Sequence, residues 1–240
     1  MLAVAPVMPD LLGAASHHVD MYWFPHTERM LTKRNDRLDA DLSEAQPLPR
    51  WRARLDDDLL ANTVFGAACA GANRVPAVIP RMNRVLARAL TARSYSDVAH
   101  RVFTARRDVV FREMEYAVPR GAGLPALREA RRAIDAAGWR ISFPVEIRVS
   151  PADDVPLSTA SGRDTMYLAF HTHHRSDLAV HRSYVAGIEA VMRAHGGRPH
   201  WGKVHSRAAS DLAPAYPRFG DFLAMRDRLD PDRVFANAHL

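Results

Sequence analysis

The clearest alternation of apolar and polar positions lies at residues 141–149. Ile141, Phe143, Val145, Ile147 and Val149 fall on one side, and Ser142, Pro144, Glu146 and Arg148 on the other. A period of two predicts a strand buried on one face only. Thr165 to His173 repeats the pattern, with Met166, Leu168 and Phe170 opposite Tyr167, Ala169, His171 and His173. Strand composition also marks Val19 to Phe24, stopped by Pro25, then Met30 to Arg34, and Val109 to Val118, ended by Pro119. Helical spacing takes over between these runs. A helical region is expected from about Trp51 to Ala92, interrupted around Gly71 and by Pro76 and Pro80. Leu124, Leu127, Ala130, Ile134 and Ala137 form a second helical stripe that Gly138 closes. Asp177 is placed to cap a third, with Tyr184, Val185, Ile188, Val191 and Met192 inward and Gly196-Gly197 as its stop. A short last helix is expected from about Pro217 to Leu229. Strands and helices do not alternate regularly. The expected class is therefore α+β: a mainly antiparallel sheet, helices packed on one side, and a polar face left for a ligand or another domain.

At 240 residues with 48% hydrophobic content, the chain suffices for one substantial domain. The formal charge of +6 permits an acidic partner. Its arginines are scattered among acids, as in Arg128-Glu129 and Arg226-Asp227-Arg228, so nucleic-acid binding is not expected. The single cysteine, Cys69, cannot form an internal disulfide and reads as a small buried residue in a reducing, cytoplasmic setting. No stretch approaches the roughly 20 apolar residues of a membrane span, and no cleaved leader is expected.

Only two of the 33 basic side chains are lysines, and Lys203 sits in the densest chemical string, Arg198-Pro199-His200-Trp201-Gly202-Lys203-Val204-His205. A lysine kept where arginine is the rule suggests a site that needs an ammonium; chance survival is the bland alternative. Glu146 and Arg148, two apart on a strand, share a face. Together they can hold a polyol, one accepting from hydroxyls and the other donating, or they form an ordinary surface ion pair. His171 and His173 share the next strand's face, and His200 and His205 could join them. A polar pocket histidine is favoured there over an H-x-H metal pair. Glu113 and Glu115 are a strand-face pair, either acid–base carboxylates or partners of cations across the sheet. Trp23 and Trp201 could stack on a sugar ring but more commonly anchor a core. Neither a phosphate-cradling glycine motif nor a nucleophile elbow is present. On residues alone the reading is an α+β domain with a polar site built from Glu146, Arg148, His171 and Lys203.

Several strings taken together resemble the carboxy-terminal domain of the sugar-1,4-lactone oxidases: gulono-, galactono- and arabinono-lactone oxidoreductases and the alditol oxidases, in the vanillyl-alcohol-oxidase flavoprotein group. They are Tyr22-Trp23-Phe24-Pro25-His26-Thr27, Thr32-Lys33-Arg34-Asn35, Phe111 to Tyr116, Glu146-Ile147-Arg148, Gly196 to His205, Leu229-Asp230-Pro231, Phe235 and Asn237. The resemblance runs in order over essentially the whole chain. It implies one cap domain over residues 1–240, which supplies the substrate pocket while FAD is held mainly on an amino-terminal domain. It implies hydride transfer from a sugar-1,4-lactone or alditol to flavin. Glu146 and Arg148 would orient the substrate's hydroxyls, and Lys203 would lie near the flavin and the reacting oxygen. His171, His200 and His205 would complete the substrate pocket, and Asn237 with Lys203 would lie toward the cofactor. The family also implies peripheral membrane association in some members, for which no anchor is encoded here. The expected FAD-binding domain is absent from this sequence, so the chain alone is expected to be colourless and inactive with sugar lactones. The alternative is a non-catalytic remnant or interaction domain that keeps the cap fold. Which lactone or polyol, and which electron acceptor, is not readable from these residues.

Overall fold

The structure is a computed structural model that describes residues 16–39, 42–89 and 92–236. The chain divides into two compact units. The first is Met1–Arg112 with Gly138–Val145 and His171–Val180; the second is Glu113–Ala137, Glu146–Phe170 and His181–Leu240.

In the first unit, β1 (His18–Trp23) and β2 (Met30–Asn35) pair antiparallel, with Val19 opposite Arg34 and Met21 opposite Thr32. The connection is pinned by polar groups. The Thr27 hydroxyl donates to the Phe24 carbonyl at 2.7 Å, and the buried Trp23 indole donates to the Thr27 carbonyl at 3.0 Å. Trp23 is therefore a core anchor, not a ligand platform. The helical region begins with α1 (Arg50–Ala53), continues as a π-helical stretch (Arg54–Val64) and becomes α2 (Phe65–Arg74). Contrary to the sequence expectation, Gly71 does not interrupt it. A lone glycine costs a helix only about 1 kcal/mol relative to alanine. The break comes at Pro76–Val78, a 3₁₀ turn, after which α3 (Ile79–Ala89) starts. Pro80 sits in the first turn of α3, where the missing N–H has no intrahelical partner to lose. From α3 the buried Asn83 amide donates to the Pro25 carbonyl at 2.9 Å and to the Ile141 carbonyl at 2.8 Å. A short helix, α4 (Ala99–Phe103), follows.

The second unit holds most of β3 (Phe111–Pro119), β4 (Val145–Ser150) and β5 (Thr165–His173), with a two-residue strand β6 (Arg198–Pro199). Its strands lie in the order β4-β5-β3-β6. β4 and β5 are antiparallel, with Glu146 opposite Ala169 and Arg148 opposite Tyr167; β3 and β6 are antiparallel, with Tyr116 opposite Pro199. The alternating run expected at 141–149 yields a strand only from Val145. Ile141 and Phe143 are buried, but so is Ser142, which the alternation places on the polar side. Their backbone is engaged otherwise: Pro144 has no N–H to give a ladder, and the Ile141 carbonyl is taken by Asn83.

Two long helices cover one face of these strands. α5 (Arg120–Ala136) buries Ala126, Leu127, Ala130 and Ile134. Its Gly123 lies so close to Met166 that an added Cβ would meet the sulfur at 2.2 Å. α6 (Leu178–Ala194), capped by Asp177 through bonds from the Ala179 and Val180 amides, sets Tyr184 edge-on to Phe170. Met166 and Phe170 share a strand face, so both helices pack on the same side. Burying each large apolar side chain there contributes roughly 1.5–3 kcal/mol. The class is thus α+β with antiparallel ladders, and within this unit the helices lie on one side, as expected. Two short segments, α7 (Ala209–Leu212) and α8 (Phe219–Leu229), complete the described chain.

Candidate functional site

The face of the second unit turned away from α5 and α6 is polar. Alternation along β4 puts Ile147 among the helices, so Glu146 and Arg148 emerge on the other side. Along β3, Tyr116 reaches helix α6, bonding Glu189 at 2.5 Å, so Glu113 and Glu115 take the opposite face with Arg148.

Lys203 is brought there by the string that follows α6. Gly196 ends the helix in left-handed backbone, with φ of 68°. Gly197 passes so close to the helix that a Cβ would meet the Met192 carbonyl oxygen at 2.6 Å. Arg198 and Pro199 pair with β3 as β6. The Arg198 guanidinium, nearly buried, donates to the carbonyls of Ala215 (2.7 Å) and Ser161 (2.8 Å) and lies 4.8 Å over the Tyr216 ring. Burial, the largest influence, lowers its pKa. The string then runs beside β3: the His200 amide donates to the Glu115 carbonyl at 2.9 Å, and the Val204 amide to the Glu113 carbonyl at 3.0 Å. A turn between them is closed by the Lys203 amide on the His200 carbonyl at 3.1 Å. Lys203 is thereby returned over the two residues whose backbone holds its loop.

Its ammonium bonds the carboxylates of Glu113 at 2.6 Å and Glu115 at 2.7 Å. Arg148 donates to the same Glu115 oxygen at 2.8 Å, and its Nε stands 3.8 Å from Glu146. Burial pushes the Lys203 pKa down, but the bonds to Glu113 and Glu115 outweigh it and the net direction is upward. Lys203 is therefore held as an ammonium, which rules it out as a neutral base at ordinary pH. The cluster sets three carboxylates against two cations. Its arrangement of alternating acceptors and donors suits the hydroxyls of a polyol or sugar.

The fit of the cluster to FAD is set by its donors. An ammonium has three N–H groups, and two of those on Lys203 are on carboxylates, leaving one for a ligand. A single donor fits one edge of an isoalloxazine ring. An acid-rich cluster does not fit a pyrophosphate. The fit is thus to the ring end of the cofactor alone.

Lys203, Glu146 and Arg148, proposed from the sequence, come together. His171 belongs to the first unit, where it is buried with Nδ1 2.9 Å from the Pro144 carbonyl and its ring edge-on to Phe111. His200 and His205 serve the string's own backbone through Nδ1, which accepts from the amides of Gly202 and Arg207 respectively. His205 stands beside Glu189, whose carboxylate it helps keep ionised. Asn237 lies outside the described residues. Trp201 packs on Tyr216 with ring centres 5.2 Å apart and donates to the Leu157 carbonyl, so it anchors the string.

Two functional elements were not named as site residues from sequence. Glu113 and Glu115, which strand spacing offers either as acid–base carboxylates or as partners of cations, here pair with cations. Glu189 had no signal beyond a lone acid inside the apolar stripe of α6. It is buried and accepts from the Tyr116 hydroxyl, the Ser206 amide at 2.9 Å and the Ser206 hydroxyl. Burial raises its pKa, but these bonds outweigh that and leave it low. One carboxylate thus ties β3 to the segment after Lys203.

The sequence pattern of the D-arabinono-1,4-lactone oxidase family matches residues 8–240. Over 220 residues the chain is 39% identical to an L-gulono-1,4-lactone dehydrogenase of Mycobacterium tuberculosis, covering 92% of this chain and 50% of that protein. It is 27% identical to the L-gulonolactone oxidase of Mus musculus over 94% of this chain and 51% of the relative. Against an alditol oxidase of a Streptomyces species it is 34% identical over 53% of this chain and 30% of the relative. The chain therefore spans about half the length of the gulonolactone-acting relatives. With the family pattern matched over nearly every residue, the chain belongs to the D-arabinono-1,4-lactone oxidase family of sugar-lactone oxidoreductases.

Proposed function

We propose that this chain is the substrate-holding portion of an FAD-dependent oxidoreductase that acts on a sugar-1,4-lactone of the arabinono or gulono type, or on an alditol. The observation that carries the reading is the convergence of Lys203, Arg148, Glu113, Glu115 and Glu146 on one strand face. FAD, held mainly by a partner domain, supplies the acceptor for a C–H hydride. Glu146 accepts from substrate hydroxyls while Arg148 donates, which fixes which carbon is presented. Lys203 gives its remaining N–H to the reacting oxygen as the proton of that hydroxyl passes to the Glu146 carboxylate, favouring the charged form of the oxygen. Glu113 and Glu115 keep that ammonium charged and aimed. His200 and His205 are proposed as further polar groups of the pocket.

The test joins the chain to the flavin-bearing half of the mycobacterial relative and follows lactone-dependent dye reduction. The chain alone is expected to be colourless and inactive. The joined protein is expected to reduce dye with L-gulono-1,4-lactone, and Lys203→Met to lower kcat/KM by about 100-fold or more, the scale of losing one transition-state donor. A joined protein that binds flavin and turns over equally well without Lys203 and Arg148 would contradict the assignment.

A further inference from the structure

The first unit carries a helix whose amphipathicity is inverted. Trp51, Leu55, Leu59, Leu60 and Val64 are all exposed, by between 40% and 67%. Apart from the adjacent Leu59 and Leu60, their neighbours along the stripe are four or five residues apart. On an ordinary α-helix that spacing drifts around the axis. On the π-helical backbone of Arg54–Val64, with its i→i+5 hydrogen bonds, residues four and five apart stack into one stripe. The buried side of the same stretch is polar. Asn62 is 6% exposed, and its amide donates to the carbonyls of Asp57 (2.7 Å) and Arg106 (3.0 Å) and accepts from the Asp108 amide (2.8 Å). Asp56 and Asp57 are held by Arg93 at 3.1 and 3.3 Å. Polar bonds therefore fix the helix to its own unit, and its apolar face is presented outward. A contiguous exposed face of this kind marks an interaction surface.

Beside it, the same helical run lines an open cleft of about 320 Å³, where the small Gly66, Ala67 and Ala70 meet Val109 and Val110 together with polar groups that include Asp108 and Arg175. A ridge of large apolar side chains next to a small-residue notch suits a folded polypeptide that presents a complementary ridge. A lipid surface is disfavoured, since Asp56, Asp57 and Asp58 interrupt the basic residues Arg50, Arg52 and Arg54 that an anionic membrane would attract. The family fact supplies the occupant: this chain accounts for about half the length of the gulonolactone-acting relatives, and the other half must pack somewhere.

We infer that the stripe Trp51–Leu55–Leu59–Leu60–Val64 is the seat of the half of a family member that this chain does not match, whether joined to it or supplied separately. The inference rests on family membership and exposure, and on no catalytic assignment.

The test labels surface side chains with a photo-activated carbene and reads the modification of residues 51–64 by mass spectrometry. Three samples are compared: the chain alone, the chain fused to the unmatched half of the Mycobacterium tuberculosis relative in that relative's own order, and the two co-expressed as separate polypeptides. Labelling of the stripe is expected to fall at least five-fold in the fused or co-expressed sample. Leu55→Asp with Leu60→Asp should leave the melting of the chain alone within about 2 °C and abolish co-purification of the separate halves. Full labelling in both combined samples overturns the inference, and so does failure of the halves to associate in either format. Protection in the chain alone, with sedimentation as a dimer, also overturns it, in favour of a second copy. Because coverage is read without turnover, a protected but inactive complex would leave this inference standing and remove the proposed chemistry; an active, unprotected one would do the reverse.

Discussion

Replacing Lys203 with methionine removes the cation shared by Glu113 and Glu115 while keeping most of the aliphatic stem. The two carboxylates then lose the cation they share, while Arg148 still donates to Glu115 at 2.8 Å. Removing one partner of a fully buried ion pair costs about 3–5 kcal/mol. Here the lysine and Glu113 side chains are each 19% exposed and Arg148 still serves Glu115, so a loss of about 2–3 kcal/mol is expected at pH 7. For a chain of this size that lowers the melting temperature by about 4–12 °C. The pH dependence gives the signature. The folded pKa of Lys203 is raised, so its contribution is fully present below the unfolded lysine value and is lost as pH rises through the folded one. On the acid side, protonating Glu113 and Glu115 removes the repulsion in the variant. The gap between wild type and Lys203→Met should therefore be widest near neutrality and narrow at both ends. Lys33→Met, removing an ammonium that meets a single carbonyl at 3.2 Å, is the control and should cost no more than about 1 kcal/mol. Calorimetric melts from pH 4 to 11 measure both. If Lys203→Met melts within 1 °C of wild type at pH 7, or if its gap does not depend on pH, the ammonium does not hold these carboxylates as argued.

Glu189→Gln should destabilise by about 1.5–3 kcal/mol in urea titrations at pH 7, because bonds to an ionised acceptor are replaced by weaker ones. With its folded pKa depressed, Glu189 contributes above the unfolded glutamate value and loses that contribution as pH falls through the folded one, so the variant's deficit should shrink toward pH 3; a constant deficit would contradict the assignment. Burial pushes the Cys69 thiol to about 12, so an aromatic disulfide reagent at pH 8 should titrate no thiol until denaturant is added; prompt reaction would refute its burial. Gly197→Ala should cost more than Gly123→Ala in thermal melts. Its added Cβ meets the Met192 backbone oxygen at 2.6 Å, whereas the Gly123 Cβ meets mainly the Met166 side chain, which can move.

The parts of the fold governed by periodicity were legible. β5, the stripes of α5 and α6, and the Asp177 cap follow from spacing and local chemistry alone. Failures came where a distant group decided the backbone's partner. Ile141 to Pro144 alternates in sequence yet forms no strand, and Ser142 is buried with its apolar neighbours, because Asn83, 58 residues away in sequence, takes the Ile141 carbonyl. β6 is two residues long and exists through the buried fork of Arg198 and the close pass of Gly197, neither of which a pattern reveals. For the site, Glu146 and Arg148 were readable because two residues on a strand share a face. Lys203 stood out as an anomaly, one of two lysines in a chain that uses arginine, and by its place in the string that resembles the sugar-lactone oxidases. What could not be read was that Lys203 would be answered by Glu113 and Glu115, since that depends on the string running antiparallel beside β3.

This last arrangement bears on what the cluster can do. An isolated ammonium would be a general attractor of anions. Here it is bonded by two carboxylates, with a third beside Arg148, so an anionic ligand meets at least as much negative as positive charge. A neutral polyhydroxyl ligand finds donors and acceptors side by side at fixed positions. The string's own backbone bonds to Glu113 and Glu115 mean that moving Lys203 also moves the carboxylates' strand, which fixes the spacing between donor and acceptors. Under the proposed function, that balance should favour uncharged sugar derivatives over their open-chain carboxylates. A lactone should therefore bind at least ten-fold more tightly than the aldonate formed on its hydrolysis, which titration calorimetry with the flavin-joined chain can measure; equal affinity would mean that Lys203 acts as a free positive charge after all.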